Sequence, residues 1–223
     1  MLDVADTRLG LGQLAAHWRR QFQMPVISVT GSNGKTTVKN MIAAILGETG
    51  SGLATQGNLN NDIGVPLTLL RLKPGDRHAV IEMGMNHPGE IDYLTKLASP
   101  TIALINNAAA AHLAGLGSVE AVARAKGEIY AGLAADGIAV VNADDSYADL
   151  WRTLAVPHRV ITFGLDRPAD ISAEYQLDAG GSTIHLKTPY GGISMRLSLL
   201  GRHNVMNALA ASSASLAAGV SLA

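Results

Sequence analysis

The stretch VTGSNGKTT, residues 29–37, holds two glycines, then a lysine and two threonines. Only Ser32 and Asn33 separate Gly31 from Gly34, a shorter spacer than the common phosphate-binding loop carries. The chemistry survives the shortening. A turn that leads from a strand into a helix aims its backbone N–H groups at one point, and the helix dipole favours an anion there. Gly31 and Gly34 permit positive φ and close backbone approach. Lys35 supplies a mobile positive charge for the outer phosphates of a nucleotide, the Thr36 hydroxyl can ligate Mg²⁺, and Thr37 offers a further donor. The competing account is an ordinary turn with an accidental Gly-Lys-Thr. The β-branched run before it and the helical periodicity after it favour the phosphate loop.

Three further residues stand at or just beyond the ends of apolar runs, where open parallel sheets bind their ligands. Glu82 closes the run HAVIEM. Beside a phosphate loop such an acid is placed to hold Mg²⁺, while a capping or salt-bridged carboxylate is the plainer account. His112 lies in the loop after 101–106, where a lone histidine is commonly just solvated. Lys126 lies in ARAKGEIY, and by spacing alone it reads as an exposed lysine one turn from Tyr130. Arg124 and Glu128 in the same stretch have the i,i+4 spacing of an ion pair.

The elements that must position these groups alternate. Helical periodicity covers 11–22, the segment from Lys35 to Gly47 or Gly50, 65–72 with Pro66 in its first turn, 87–98, 118–133 with Ser118 as its cap, and 146–155. Short apolar runs at 26–30, 78–83, 101–106, 138–142 and 158–164 read as strands. This order predicts an α/β fold, a mostly parallel sheet with helices on both faces. Residues 170–200 then alternate polar and apolar around turns at Gly180-Gly181 and Gly191-Gly192, which predicts a small antiparallel sheet. The division expected is a connector and helix over 1–24 and one domain over 25–223. The last helix reads as running into Ala223 without a cap, so the chain reads as a piece of a longer protein.

Composition narrows the classes. Apolar residues make up 48% and aromatics 4%, so the core must be built from Ala, Val, Ile and Leu. A net charge of −1 lacks the basic footprint of a nucleic-acid binder. With no cysteine, disulfides, thiolate catalysis and Cys-ligated metals are excluded. Residues 205–223 are uncharged, but they are rich in Ala and Ser and contain Asn207, which favours a buried helix over a membrane span. The N-terminus lacks a signal pattern, so a cytoplasmic location is expected.

Taken together, TGSNGKTT, TQGNLNNDIGVPLTLL, IEMGMNHPGEI, AHLAGLGSVEAVARAKGEIY and GRHNVMNALAA resemble the Mur ligases, over nearly the whole chain. The loop alone is shared with folylpolyglutamate synthases; the Asn-rich segment with EMGMNHPGEI is similar to the members that add D-alanyl-D-alanine to UDP-N-acetylmuramoyl-tripeptide in peptidoglycan precursor synthesis. The resemblance implies the central, ATP-binding domain of three, with the flanking domains expected in the full-length protein and the isolated chain weakly active or inactive. It implies that Gly31, Ser32, Asn33, Gly34, Lys35, Thr36 and Thr37 bind ATP, with Lys35 on the β- and γ-phosphates. Thr36 and Glu82 would hold one Mg²⁺ and His112 a second, supported by a carbamylated Lys126. Asn204 and Asn207 would face adenine, although Asn204 also suits a helix cap. Ala110, Ala114 and Met85 depart from the family's usual residues, and none of them is a proposed ligand. A nucleotide-binding module without catalysis, or another Mur or folylpolyglutamate synthase-type ligase, stays open beside this reading.

Overall fold

The computed structural model describes residues 3–110 and 116–222. In chain order the elements are α1 (Thr7–Arg19), β1 (Val26–Thr30), α2 (Lys35–Gly47), β2 (Leu53–Ala54), α3 (Gly64–Leu69), β3 (Ala79–Glu82), α4 (Glu90–Ala98) and β4 (Ile102–Ile105). There follow α5 (Val119–Gly127), a 3₁₀ turn (Glu128–Gly132), β5 (Ile138–Asn142), α6 (Ala148–Leu154), β6 (Arg159–Phe163), β7 (Ser172–Asp178), β8 (Gly181–Thr188), β9 (Gly191–Leu197) and α7 (Arg202–Ala217). Strands β1 to β6 form one parallel sheet in the order β2-β3-β1-β4-β5-β6. Strands β7, β8 and β9 form a separate antiparallel sheet. The expected fold class is therefore the observed one. The two-residue strand β2 escaped the sequence reading because it is too short to show a period.

The strand order dictates where the helices go. Parallel crossovers are right-handed. Only the step from β1 to β2 runs in one direction along the sheet; every later step runs in the other. One face therefore receives α3, α4, α5 and α6 and packs them on Ala79, Ile81, Ala103, Ile105, Ala139 and Val141. The other face, with Ile27, Val29, Val80, Leu104, Val140 and Phe163, has only α2 from the crossovers. Helix α7 covers the remainder. It lies between that face and the small sheet, whose Ile184 and Leu186 join the same core. A helix packed on several sides must be apolar around most of its circumference, and Val205 and Asn207 through Ser215 are all buried. This accounts for the long uncharged run; among the described residues no helix is long and apolar enough to cross a membrane.

Local signals correct three expectations. Helix α1 starts at Thr7, not Leu11, because the Asp6 carboxylate accepts from the N–H groups of Arg8 and Leu9 at 2.8 and 3.0 Å. Its Ala15 and Ala16 are part of the main core. Helix α7 does not run to Ala223. It stops at Ala217, where Gly219 takes φ +93° and the N–H groups of Gly219 and Val220 return to Leu216 and Ser215. The second hairpin turns at Pro189 and Tyr190; Gly191 and Gly192 already belong to β9.

Candidate functional site

The site forms where β1, β3 and β4 end. The strands β1, VISVT, and β3, AVIE, are completely buried, and they lie side by side with Val29 opposite Glu82. This register places the phosphate-loop turn, which follows Thr30, next to an acid that is 2% exposed. The Thr36 hydroxyl donates to Glu82 Oε2 at 2.9 Å, and Asn60 Nδ2 donates to Oε1 at 2.9 Å. The Glu82 N–H donates to the Thr55 hydroxyl, and the Gly84 N–H to the Asn60 carbonyl. The Asn-rich loop is thus the clamp that aims Glu82 at Thr36. Sequence reasoning gave Asn60 no role, although three asparagines within four residues between two helices are an unusual stock of amide donors.

The turn itself is tight. Gly34 has φ +76° and caps α2 without any side-chain hydrogen bond. Among the described residues the N–H groups of Gly34, Lys35, Thr36 and Thr37 have no protein acceptor, whereas those of Ser32 and Asn33 donate to Asn107 O and Asn107 Oδ1, each at 2.9 Å. Four open donors at the positive end of a helix suit an anion. Lys35 Nζ folds back on Gly31 O at 2.7 Å. Burial lowers its pKa, and Glu82 pulls in the opposite direction.

A Cβ at Gly34 would lie 2.6 Å from Asn207 Oδ1 and 2.7 Å from Asn106 Nδ2. Gly34→Ala therefore combines an unfavourable φ, worth about 1–2 kcal/mol, with a clash against buried amides. We expect nucleotide affinity to fall by at least about tenfold, the equivalent of ~1.4 kcal/mol, as measured by calorimetric titration; unchanged affinity would show that the loop tolerates another shape.

Lys126 is 1% exposed. Spacing had suggested an exposed lysine; the structure buries it, on a helix that packs closely against α6 at the adjoining Gly127. A Cβ at Gly127 would meet Leu154 Cδ1 at 2.3 Å, and Trp151 Nε1 anchors the contact on Ala123 O at 2.9 Å. Burial, reinforced by the charge of Lys35, lowers the Lys126 pKa to about 7. Tyr130 spends its hydroxyl on Val140 O at 3.2 Å. The expected pair of Arg124 with Glu128 does not form. Arg124 pairs with Glu120 at 2.9 Å, while the helix tightens to 3₁₀ geometry at Glu128. That turn swings the Glu128 carboxylate onto the N–H groups of Gly89 and Asp92, at the start of α4. The Ser118 cap is present, accepting from Ala121 N–H at 3.1 Å.

Asn204 does not cap α7, since Gly201 holds that position and the Asn204 amide donates to Leu200 O at 2.9 Å. Asn207 is buried and points at the back of the turn. His112 lies outside the described residues. The structure therefore brings together the turn, Lys35, Thr36, Glu82 and Asn207, with Lys126 close enough to feel the charge of Lys35. A cavity of about 740 Å³ opens beside Lys35, with Arg8, Asn60, Gly84, Met85, Glu90 and Tyr93 among the residues that line it. An open helix N-terminus, a carboxylate–hydroxyl pair and an adjoining cavity suit a nucleoside triphosphate next to a second substrate.

Comparison with known proteins identifies the family. The family profile of the Mur ligase middle domain matches residues 29–215. The UDP-N-acetylmuramoyl-tripeptide–D-alanyl-D-alanine ligase of Escherichia coli K12 is 48% identical over 223 residues, 99% of this chain and 49% of that protein. A crystal structure of MurF from Acinetobacter baumannii superposes with a TM-score of 0.96 at 45% identity, over 99% of this chain and 49% of that one. MurF ligase from Thermotoga maritima in complex with ADP superposes at 0.87 with 27% identity, over 100% of this chain and 52% of that one. The chain spans about half the length of the curated relatives it matches.

Proposed function

This chain belongs to the Mur ligase family, and from that membership we propose that it is the ATP-binding middle part of the enzyme that joins D-alanyl-D-alanine to UDP-N-acetylmuramoyl-tripeptide. The observation that carries the reading is the pairing of Thr36 with Glu82 at the mouth of an open helix N-terminus, with a buried lysine amine beside Lys35. A simple ATPase has no need of that second lysine.

In this reading the triphosphate lies on the free N–H groups of residues 34–37, and Lys35 leaves Gly31 O for the outer phosphates. Charge neutralisation is the central task, because a carboxylate must approach an anionic phosphate. Thr36 and Glu82 offer the hard oxygen donors that suit Mg²⁺, which keeps one or two protein ligands beside the phosphates. When bound, the metal would supply the further positive charge. A second site would use His112 and Lys126. At neutral pH a large share of Lys126 is free amine, the form whose nitrogen bonds CO₂ and releases a proton to give a carbamate.

The acceptor carboxylate, housed in the cavity beside Lys35, bonds through one oxygen to the γ-phosphorus. The phosphorus bond to the ADP oxygen breaks, which leaves an acyl phosphate. The D-alanyl-D-alanine amine then bonds to the acyl carbon, phosphate departs with the carbon–oxygen pair, and the nitrogen loses a proton. The protein's share is positioning and electrostatics.

The test uses the full-length protein that contains this chain, supplied with Mg-ATP, UDP-N-acetylmuramoyl-tripeptide and D-alanyl-D-alanine. Expected products are ADP, phosphate and the amide in equal amounts. ATP binding without amide product would identify a nucleotide-binding module instead, and absence of ATP binding would remove the reading entirely.

A further inference from the structure

Behind the phosphate loop lies a chain of asparagine amides that the proposed chemistry does not use. Asn106 follows β4, is 1% exposed, and has both amide hydrogens committed. Its Nδ2 donates to Asn33 O and to Asn207 Oδ1, each at 3.0 Å. Asn207 in turn donates through Nδ2 to Asn204 Oδ1 at 3.1 Å. Asn142, at the end of β5, donates to the Asn106 carbonyl at 2.8 Å. The Asn33 backbone carbonyl sets the orientation of the Asn106 amide; it accepts from Asn106 and also from Asn107 Nδ2 at 3.1 Å, while Asn106 Oδ1 is buried without a partner among the described residues. The two amides back the turn so closely that a Cβ at position 34 would lie under 3 Å from both, and only glycine leaves them that room.

We propose that Asn106 and Asn207 form a latch that holds the phosphate loop in its binding shape, so that Asn207 acts on the grip of the phosphates through Asn106 and Asn33. Both are positioning residues. The inference rests on the ATP-binding reading and deepens it, since it ties α7 to the loop across the β4 edge. A latch and a base contact predict different ligand dependence. A residue that touches only adenine does not alter the binding of a ligand that has no base.

The experiment measures Mg-ATP and magnesium tripolyphosphate affinities for the chain, the latter by competition against a fluorescent ATP analogue. Variants are Asn207→Ala, Asn106→Ala and the double substitution, with Lys35→Ala as the control. The latch predicts that each single variant weakens ATP and tripolyphosphate by the same factor, about tenfold or more, corresponding to loss of hydrogen bonds that hold the loop. It also predicts that the double variant is no worse than either single one. If Asn207→Ala weakens ATP while tripolyphosphate binds as before, or if the two losses multiply, the latch is wrong. Thermal melting of each sample separates lost folding from lost affinity. Asn106→Ser, which keeps a small polar side chain, replaces an alanine variant that fails to fold. A wild-type chain that binds neither ligand would overturn the ATP-binding reading itself, a distinct outcome.

Discussion

Replacing Lys35 by Ala is expected to cut Mg-ATP affinity by one to two orders of magnitude, with little change in melting temperature. Among the described residues the Lys35 amine has one hydrogen-bond partner, the Gly31 carbonyl at 2.7 Å, and that bond is local to the turn it closes. Its loss costs the fold little. In the bound state the same ammonium becomes a charge-assisted donor to phosphate oxygens, and hydrogen bonds to charged groups contribute about 1.5–3 kcal/mol, which is roughly a 10- to 150-fold change in affinity. The loss should shrink for adenosine, which has no phosphate, and grow from AMP to ADP to ATP if the amine reaches the outer phosphates. Calorimetric titration across that series is the measurement. An equal loss for all four ligands would place Lys35 in the fold and not at the phosphates, and no loss would remove the loop from the site.

How much of this was legible in the sequence depended on where the signal sits. The parallel sheet was readable because its strands are buried on both faces and therefore appear as short unbroken apolar runs, as VISVT does. The tight turn between β1 and α2 was readable because Gly, Lys and Thr at fixed offsets after a β-branched run mark a strand-to-helix loop. Glu82 was placed by its position at a strand end. What escaped depends on contacts between distant segments. Nothing local to Glu128 says that its helix will tighten and send the carboxylate to Gly89. Nothing local to Lys126 says that it will be buried; its helix packs against Leu154 and Trp151 from another helix, a contact that only the fold brings about. The amide chain through Asn106, Asn142 and Asn207 was equally invisible, since its members follow β4, end β5 and lie in α7. A usable hint was present all the same. Strands β4 and β5 are apolar runs that each close on asparagine, and a polar residue at that edge of a parallel sheet invites a role.

Lys126→Met is expected to stabilise the folded chain, and to do so in a way that depends on pH. The sign follows from the proton. In the unfolded chain the amine keeps its proton up to near 10.5, whereas in the folded chain burial and Lys35 release it above about 7. Below pH 7 both states are protonated, and the folded state bears the full cost of a buried charge. That cost declines as pH rises from 7 towards 10.5 and vanishes above it. At ~1.4 kcal/mol for each tenfold change in the protonation equilibrium, the full cost is on the order of 5 kcal/mol. Methionine has nearly the same length and no charge, so it removes the cost without leaving a cavity. Urea denaturation in CO₂-free buffer should therefore show the variant's advantage at its largest near pH 6.5, smaller at pH 8.5 and close to zero at pH 10.5. An advantage that does not change with pH would mean that Lys126 affects packing alone. Bicarbonate provides the second arm. A carbamate on Lys126 carries negative charge towards Lys35 and converts repulsion into attraction, so the wild-type chain should gain stability in bicarbonate while Lys126→Met should not. A protein that keeps such a costly amine buried beside its phosphate lysine gains nothing in stability from it. The functional use proposed here for Lys126 supplies the reason for its presence, and equal bicarbonate responses of the two chains would remove that reason.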